Sequence, residues 1–384
     1  MPFAESSYGM RDPEIIIIGS GPAGCSTALH LVAQSPDWRD RILVLEAKHH
    51  PRAKLCGGGV TVFGLQVLRG LGLTLDVPHV RVDEALFRLQ RRTLKVRGQP
   101  LLEVVDRSSL DAWLVGEARA RGVSVEEDSP VRAVEPSSSE VTVRTAAREY
   151  HPKAVVLACG SRGLDFVAWG AGGSAIGPRR VARGVESFTS QERVETFSSP
   201  LSVEFDFSPL AQGQHGYSWR FPMPGGAQPL HNLGLFDTRQ YAARRAPDLK
   251  AGLEKYAGRT GVRSLEPIQG HPVRLYSPWA RLSAPRLLLV GDAAGVDPLF
   301  GEGIGASLAY GRVAAQEIDR ARSAGDYRFA GFTWRVLAGD LGDYLGVRWT
   351  FAQLVYGLAP LPGFTFLAWA IARLIAPSYH PRLV

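Results

Sequence analysis

Cysteine is scarce in this sequence. The chain has 384 residues and three cysteines, Cys25, Cys56 and Cys159. They are too few and too widely spaced for a disulfide framework or a cysteine-rich zinc site, so no metal site is expected. Their scarcity favours a reducing, cytoplasmic setting instead. A hydrophobic content of 45% can supply a folded core, which argues against intrinsic disorder.

Long apolar runs are also missing. Residues 1–12 lack the basic and apolar segments of a signal peptide, so export is not expected. The apolar stretch from Phe364 to Ala376 is interrupted by Arg373 and is shorter than the ~20 residues that a spanning helix needs. It is expected either to pack over a substrate tunnel or to lie at an anionic membrane interface.

The sequence is basic overall, but its lysine and arginine residues do not form a long run. The net charge is +7 and the pI is about 9.4, which is compatible with a nucleic acid, an anionic membrane or a phosphate-bearing ligand. No Lys/Arg run with interleaved aromatic residues and no zinc-finger spacing is present. No nucleic-acid partner is therefore predicted.

Hydrophobic patterning predicts a βαβ unit at the start of the chain. The run from Ile15 to Ile18 predicts a buried strand, followed by a glycine turn, an apolar helix and a second buried strand. Residues 107–122 predict a helix. Segments between residues 180 and 274 alternate polar and apolar side chains, as in a mostly antiparallel sheet. A strand, turn and helix return at residues 286–322, and the remainder is aromatic-rich and helical.

The turn after the first strand has the spacing of a dinucleotide-binding site. A G-x-G-x-x-G pattern lies between the strand and the helix, where glycine lets the backbone approach a pyrophosphate at the helix N-terminus. Its predicted cofactor-binding residues are Gly19, Gly21, Pro22, Ala23 and Gly24. Glu46 follows the next strand, where a carboxylate can accept hydrogen bonds from a ribose. The alternative is a glycine turn of another α/β protein, and the turn alone does not distinguish FAD from NAD.

A second motif lies near residue 300. The segment GDAAGVDPLFGEGIG, residues 291–305, follows an apolar strand and opens a helix. It resembles the GD motif of the flavoprotein hydroxylase and geranylgeranyl reductase superfamily, in which the acid binds the ribityl chain of FAD. The resemblance implies cofactor-binding roles for Gly291, Asp292, Pro298, Gly301, Gly303 and Ile304. The helix N-terminus would stabilise the negative charge of reduced flavin. The alternative is a glycine-rich loop that caps a helix.

Two further positions bear on this resemblance. Arg107 stands where an arginine of the superfamily contacts the cofactor, although a solvent-exposed cap arginine would also fit this position. Cys159 replaces the aspartate that hydroxylases usually carry at the corresponding site, so hydroxylase-style use of NADPH is not implied.

The resemblance implies an α/β, hydroxylase-like two-domain flavoprotein fold. It has a Rossmann-like FAD-binding domain, an antiparallel-sheet substrate domain and C-terminal helices. The expected ranges are 12–80, 101–175 and 275–325 for the FAD-binding domain, 81–100 and 176–274 for the substrate-binding sheet, and 326–384 for the helices.

The segment PRAKLCGGG, residues 51–59, resembles the Lys-x-Cys-Gly-Gly segment of geranylgeranyl reductases. The resemblance implies that Arg52, Cys56 and Gly57 contact the cofactor, that Gly58 contacts the substrate and that Cys56 is catalytic. Arg52 and Lys54 are expected to lower the pKa of the thiol if they lie nearby. A buried, inert cysteine is the alternative, and relatives with hydroxylase-like chemistry carry a similar segment.

The segment YSWRFP resembles the Tyr-x-Trp-x-Phe-Pro pattern of the same family, although Met223 replaces its usual lysine. Alternate residues of a strand face one side, so Tyr217, Trp219 and Phe221 are expected to form a substrate-binding wall beside the flavin. Gly234 is the candidate for the glycine that follows in the family. Packing of the same stripe in a core is the alternative. No halogenase Trp-x-Trp-x-Ile-Pro motif is found.

Together these motifs predict an FAD-dependent oxidoreductase that reduces isoprenoid C=C bonds of an apolar small molecule or lipid. FAD is the expected cofactor, and NAD(P)H and ferredoxin are the candidate electron donors. Reduced flavin would supply a hydride, and Cys56 or a water the proton. Two alternatives stay open: a flavin monooxygenase of an aromatic or quinone-like substrate, and a redox-linked maturation or binding partner. Peripheral membrane contact is compatible with the sequence, which does not predict the oligomeric state.

Overall fold

Two large β-sheets, one parallel and one mostly antiparallel, organise the chain. The computed structural model describes residues 13–162, 164–168, 176–190, 201–225, 230–239, 247–262, 265–361 and 363–375. The strands are β1 (Ile15–Ile18), β2 (Ile42–Leu45), β3 (Gly59–Thr61), β4 (His79–Leu89), β5 (Arg92–Val105), β6 (Ser124–Glu126), β7 (Ala133–Pro136), β8 (Val141–Arg144), β9 (Glu149–Tyr150), β10 (Ala154–Leu157), β11 (Val181–Ser190), β12 (Ser202–Asp206), β13 (Gly216–Met223), β14 (Leu230–Asp237), β15 (Gln269–Arg274), β16 (Ser283–Ala284) and β17 (Leu287–Leu289). The α-helices are α1 (Pro22–Gln34), α2 (Val62–Gly70), α3 (Arg107–Ala120), α4 (Leu249–Arg259), α5 (Ile304–Ala324), α6 (Phe332–Ala338), α7 (Asp340–Leu358) and α8 (Phe364–Ile375).

The first sheet has the strand order β16-β17-β10-β1-β2-β6, and its strands run parallel except β16. β1 lies inside the sheet, with Ile15 opposite Ala154 of β10 and opposite Ile42 of β2. These strands are continuous apolar runs because a parallel sheet covered on both faces has no solvent side. α1 packs against α5 and α3, so a helix from near residue 310 covers the opening βαβ unit.

The second sheet has the strand order β15-β11-β14-β13-β12-β4-β5-β3. Neighbouring strands are antiparallel except β12 and β4, which pair in parallel. β13 and β14 form an antiparallel pair in which Trp219 lies opposite Gly234. A separate small sheet has the order β7-β8-β9. The predicted two-domain flavoprotein architecture is confirmed.

The predicted domain boundaries stay predictions. β3 belongs to the second sheet although it lies within the predicted range 12–80. The predicted boundary residues 12, 175 and 384 lie outside the described residues. Within the part of the chain that the structure describes, no helix combines the length and apolarity needed to cross a membrane.

Candidate active site

The glycine turn joins β1 to α1 with no room for side chains. Gly19 has φ +104°, and a Cβ added there would lie 2.5 Å from the carbonyl oxygen of Ala158. A Cβ at Gly24 would lie 1.9 Å from the carbonyl oxygen of Gly19. Gly21 precedes α1, which Pro22 begins, so the helix N-terminus follows the strand directly. The backbone is thus held in the form that a pyrophosphate requires.

Glu46 lies beside this turn. The Ser20 amide and hydroxyl donate to its Oε2 at 2.9 and 2.8 Å, and Arg52 Nε lies 3.2 Å from its Oε1. Burial raises the pKa of the carboxyl, but Arg52 and the Ser20 hydrogen bonds outweigh it and lower the pKa overall. The carboxylate is therefore charged at neutral pH, as hydrogen bonding to a ribose would require.

A buried ion-pair chain extends from Glu46 toward the second motif. Arg52 Nη1 lies 3.3 Å from Asp111 Oδ2, and Arg107 donates to both oxygens of Asp111 at 2.9 Å. Asp111 is fully buried and Arg107 is 8% exposed. The alternative of a solvent-exposed Arg107 is therefore wrong. The α3 N-cap is Asp106, whose side chain accepts a hydrogen bond from the Ser109 amide.

The second motif, residues 291–305, adjoins these ion pairs. Gly291 begins a 3-10 turn after β17, and Lys54 Nζ lies 3.6 Å from Asp292 Oδ2. A Cβ added at Gly303 would lie 3.4 Å from Asp292 Oδ1. Gly303 precedes α5, which Ile304 begins. This carboxylate at a helix N-terminus is suited to binding ribityl hydroxyls.

The two motifs together fit FAD. At Gly21 the first atom that an added Cβ would meet is Arg52 Nη2 at 3.8 Å, so the turn leaves open space in front of the helix. Glu46 and Asp292 supply the carboxylates that ribose and ribityl hydroxyls require. Pro298 is buried, and it is not among the residues that line the cavity described next.

A cavity of about 190 Å³ lies between the second sheet and the loop that leads into α5. One end is formed by Cys56, Gly57 and Gly58, together with Gly301, Gly303 and Ile304. Its wall is aromatic and includes Phe87, Phe205, Tyr217, Trp219, Phe221 and Phe300. The structure thus brings the predicted catalytic residue, the predicted substrate-binding residues and some of the predicted cofactor-binding residues to one cavity, and their individual roles stay predictions.

Trp219 is the most constrained residue of this wall. Its Nε1 donates to Asn232 Oδ1 at 2.6 Å. A Cβ added at Gly234 would lie 2.0 Å from Cζ2 of its indole, and one added at Gly57 would lie 3.3 Å from Nε1. The hydroxyl of Tyr217 donates to the carbonyl of Phe300. Glycines on two sides therefore make the space in which the indole lies.

Cys56 has a protonated thiol. Its amide donates to Glu186 Oε1 at 3.0 Å, and its Sγ accepts from the Gly58 amide at 3.4 Å. Burial raises the pKa of the thiol, and the nearby cations Arg107 and Lys54 do not offset it. Lys54 lowers the pKa of the thiol as expected, but burial outweighs this effect and the pKa is raised overall. Arg52 instead pairs with carboxylates, and the desolvation of a thiolate outweighs the charge of Lys54.

Two titratable residues of the second sheet face the same end of the cavity. Burial raises the pKa of Glu186 to about 7, against the hydrogen bond from the Cys56 amide. Burial lowers the pKa of His271 to about 4, with Lys54 adding to the effect. At neutral pH the carboxyl is therefore partly protonated and the imidazole is neutral.

The cavity also has a buried acidic cluster, beside Gly301 and Gly303. Glu302 Oε1 accepts from the Gly305 amide at 2.6 Å, and Tyr344 OH donates to Glu302 Oε2 at 3.2 Å. Arg348 Nε lies 3.2 Å from Asp297 Oδ2. Burial raises the pKa of Glu302 to about 7 and that of Asp297 to about 6.

Sequence reasoning missed most polar residues of the cavity. They are Glu186, His271, Asp297, Glu302, Tyr344 and Arg348. Asp297 and Glu302 lie inside the second motif, residues 291–305, so their position was a usable signal. The others lie on β11, β15 and α7, and nothing in their local patterns distinguishes them from ordinary surface or core residues.

Comparison with known proteins gives a family match over much of the chain. The family model described as FAD binding domain matches residues 12–213. A menaquinone reductase of Mycolicibacterium smegmatis is 25% identical over 342 residues, which cover 79% of this chain and 75% of that protein. A digeranylgeranylglycerophospholipid reductase of Methanothermobacter thermautotrophicus is 24% identical over 373 residues, which cover 88% of this chain and 86% of that protein.

Solved structures share the fold. A geranylgeranyl bacteriochlorophyll reductase-like protein of Thermoplasma acidophilum superposes with a TM-score of 0.75 at 18% identity, covering 97% of this chain and 93% of that chain. A flavin-dependent halogenase superposes with a TM-score of 0.66 at 22% identity, covering 92% of this chain and 67% of that chain. At these identities the likeness establishes the architecture alone.

Proposed function

Since the chain belongs to the FAD binding domain family, we propose that it is an oxidoreductase that uses FAD to saturate C=C bonds of an isoprenoid chain on a lipid or quinone. Family membership confirms FAD as the cofactor. The relatives named as reductases of menaquinone and of digeranylgeranylglycerophospholipid support the substrate class. They also support the resemblance to geranylgeranyl reductases.

The observation that carries the proposal is an aromatic cavity closed at one end by a protonated cysteine. Phe205 contacts the rings of Tyr217, Phe221 and Phe300 at centroid distances of 5.4 to 5.5 Å. Such a wall stabilises an apolar chain through its area and excludes water.

The cofactor would be held by residues already described. The turn from Gly19 to Gly24 would bind the pyrophosphate, Glu46 the ribose and Asp292 the ribityl chain. When bound and reduced, FAD supplies the hydride, and an external donor of the NAD(P)H or ferredoxin class must restore its electrons. The Cys56–Gly58 segment and the loop before α5 face each other across the space that remains.

Cys56 acts as the proton donor to the second alkene carbon. Its raised pKa keeps the thiol protonated at neutral pH, which suits an acid and not a nucleophile. Glu186 positions the Cys56 backbone through the 3.0 Å hydrogen bond from its amide. With a pKa of about 7, this carboxyl can also return a proton to the thiol between turnovers.

We further propose that the protein contacts a membrane peripherally. An isoprenoid lipid resides in a bilayer, so an enzyme that reduces it has to reach the bilayer surface.

The test is a single turnover without oxygen. Purified protein with FAD bound is reduced by dithionite, mixed with detergent-dispersed geranylgeranyl lipid, and followed by flavin absorbance and product mass. We expect reoxidation coupled to a gain of two hydrogens for each double bond reduced. Cys56→Ala should lose at least about a hundredfold in rate with FAD still bound.

The matched control is Cys159→Ala, which removes a thiol that does not line the cavity. It should turn over at the wild-type rate. Reoxidation only after oxygen is admitted, with one oxygen atom added to a substrate, would overturn the proposal in favour of a monooxygenase. Full activity of Cys56→Ala would remove Cys56 from the chemistry.

A further inference from the structure

The last two described helices contact each other and both expose apolar side chains. On α7 it consists of Val347, Phe351 and Leu354, and on α8 of Phe366, Leu367, Ile371 and Leu374, which we call the outer face. Each of these side chains is at least 46% exposed, and Leu374 reaches 79%. Single exposed apolar residues are common, but seven on two adjoining helices form a patch of the kind that marks an interaction surface.

The remaining sides of α7 are already occupied. Ala352 and Tyr356 are buried against Leu210, and Tyr356 OH donates to the carbonyl of Leu299 at 2.8 Å. The exposed residues of α7 recur every three or four positions, so they form one stripe along the helix. The stripe is therefore directed away from the protein core.

Positive charge borders the outer face. The β4–β5 hairpin tip carries Arg91 and Arg92, and the Arg92 guanidinium lies 4.6 Å from the centroid of the Phe366 ring. Arg373 lies two turns after Phe366 on α8 and is exposed. Among the residues that the structure describes, these three arginines have no carboxylate within ion-pair distance. α8 itself contains no acidic residue.

An apolar centre with a cationic border is the pattern of a surface that rests on anionic lipid. A second copy of the chain is less suited to this face, because a two-fold interface would bring the same arginines close together. We propose that the outer face with Arg91, Arg92 and Arg373 docks the protein on an anionic membrane, and that the lipid substrate enters the cavity along α7.

The route along α7 rests on the proposed function, whereas the docking itself does not. Tyr344 and Arg348 of α7 line the cavity, while Val347 and Phe351 of the same helix belong to the outer face. One helix therefore separates the cavity from the proposed membrane surface. A lipid lifted from the bilayer would have to pass only this helix to reach the aromatic wall.

The experiment is vesicle flotation of the full chain with FAD bound. Vesicles contain phosphatidylcholine alone or with about one third phosphatidylglycerol. We expect binding to the anionic vesicles that weakens as salt rises. The double variant Arg91→Glu and Arg92→Glu should lower the partition coefficient at least about twentyfold, because each arginine near an anionic surface contributes about fivefold. Phe366→Asp with Leu374→Asp should lower it at least about tenfold.

Two matched variants control for charge and for apolar area. Arg328→Glu reverses a charge near Tyr327, which contacts Glu14 before the first strand. Trp279→Ser removes an 83% exposed apolar side chain that lies outside the outer face. Both should bind vesicles like the wild type. Each variant is also assayed with detergent-dispersed lipid, where all should keep wild-type turnover because none lines the cavity.

The outcomes separate docking from chemistry. Loss of vesicle binding in the two outer-face variants alone, with turnover in detergent kept, supports the proposal. Failure of the wild type to bind anionic vesicles overturns it, as does equal binding by the outer-face variants. A wild-type dimer in light scattering that becomes monomeric in Phe366→Asp with Leu374→Asp also overturns it, because the face then joins two copies. Vesicle binding without any lipid reduction refutes the proposed function and leaves the docking intact.

Discussion

Gly234→Ala tests most directly whether catalysis depends on the position of the Trp219 indole in the aromatic wall. The added methyl would lie 2.0 Å from Cζ2 of Trp219 and 2.3 Å from Cε2 and Cη2. Carbon atoms in contact are about 3.5–4.0 Å apart, so the indole must move by about 1.5 Å. It has little freedom to do so, because Nε1 donates to Asn232 and lies close to Gly57.

The displacement reaches the reacting centre through the backbone. Gly57 follows Cys56, so an indole pressed against Gly57 moves the thiol. We expect overpacking to lower the free energy of unfolding by about 2 kcal/mol. Tm should fall by roughly 5 °C. A displacement of about 1 Å at the thiol should lower the single-turnover rate about a hundredfold. FAD should still bind, because the turn at Gly19 follows β1 of the other sheet, but its affinity should fall, because the displaced Gly57 is itself a predicted cofactor contact.

The assays are anaerobic single turnover, thermal unfolding and FAD titration on one preparation. Gly116→Ala is the matched control, since Gly116 is exposed on α3 and an added Cβ would meet no atom within 4 Å. It should be stabilised by about 0.5–1 kcal/mol with unchanged turnover. Trp219→Phe combined with Gly234→Ala removes the crowded ring atoms and should recover Tm. The reasoning is refuted if Gly234→Ala alone keeps wild-type Tm and turnover.

Three further predictions follow from buried charges. The folded-state pKa of Glu186 is about 7 against an ordinary value of 4.5, so its penalty on stability is absent below pH 4.5, grows as pH rises and is complete above pH 7. The free energy of unfolding of Glu186→Gln should therefore rise by roughly 3 kcal/mol relative to that of the wild type between pH 4 and pH 8, measured by urea unfolding of the flavin-free protein. If the free energies of unfolding of the two proteins change in parallel with pH, the raised pKa of Glu186 is contradicted. Arg107→Met leaves the buried carboxylate of Asp111 without its bidentate partner and should lower the free energy of unfolding by about 3 kcal/mol, measured by urea denaturation. A loss below about 1 kcal/mol would instead indicate that Arg52 alone is a sufficient partner for Asp111. Glu46→Gln should weaken FAD binding about tenfold or more in fluorescence titration with little change in the rate of the bound enzyme, and an unchanged Kd would remove Glu46 from the ribose site.

The cofactor site could be predicted from the sequence because its determinants are local. The turn from Gly19 to Gly24 and the GD motif at Gly291 each combine a strand, a turn and a helix within a short stretch, and their backbone geometry leaves few alternative residues. The same holds for the alternation of Tyr217, Trp219 and Phe221, since side chains on one strand face must share a wall. Local periodicity and turn chemistry thus determined the opening βαβ unit and one side of the cavity, whereas the two-domain fold was implied by the resemblance to a known family.

The tertiary structure alone decided the pKa values of the cavity residues and which apolar side chains are exposed. The direction of the Cys56 pKa depends on burial beneath residues far away in the sequence, and that burial outweighs the cations counted from neighbouring positions. Glu186 and Tyr344 reach the cavity from β11 and α7, more than one hundred residues away from Cys56, where no local pattern marks them. Whether an apolar residue such as Phe366 belongs to a core or to an exposed face is likewise decided by what packs against its helix. Desolvation and packing sum over distant neighbours, and a linear sequence does not display those neighbours together.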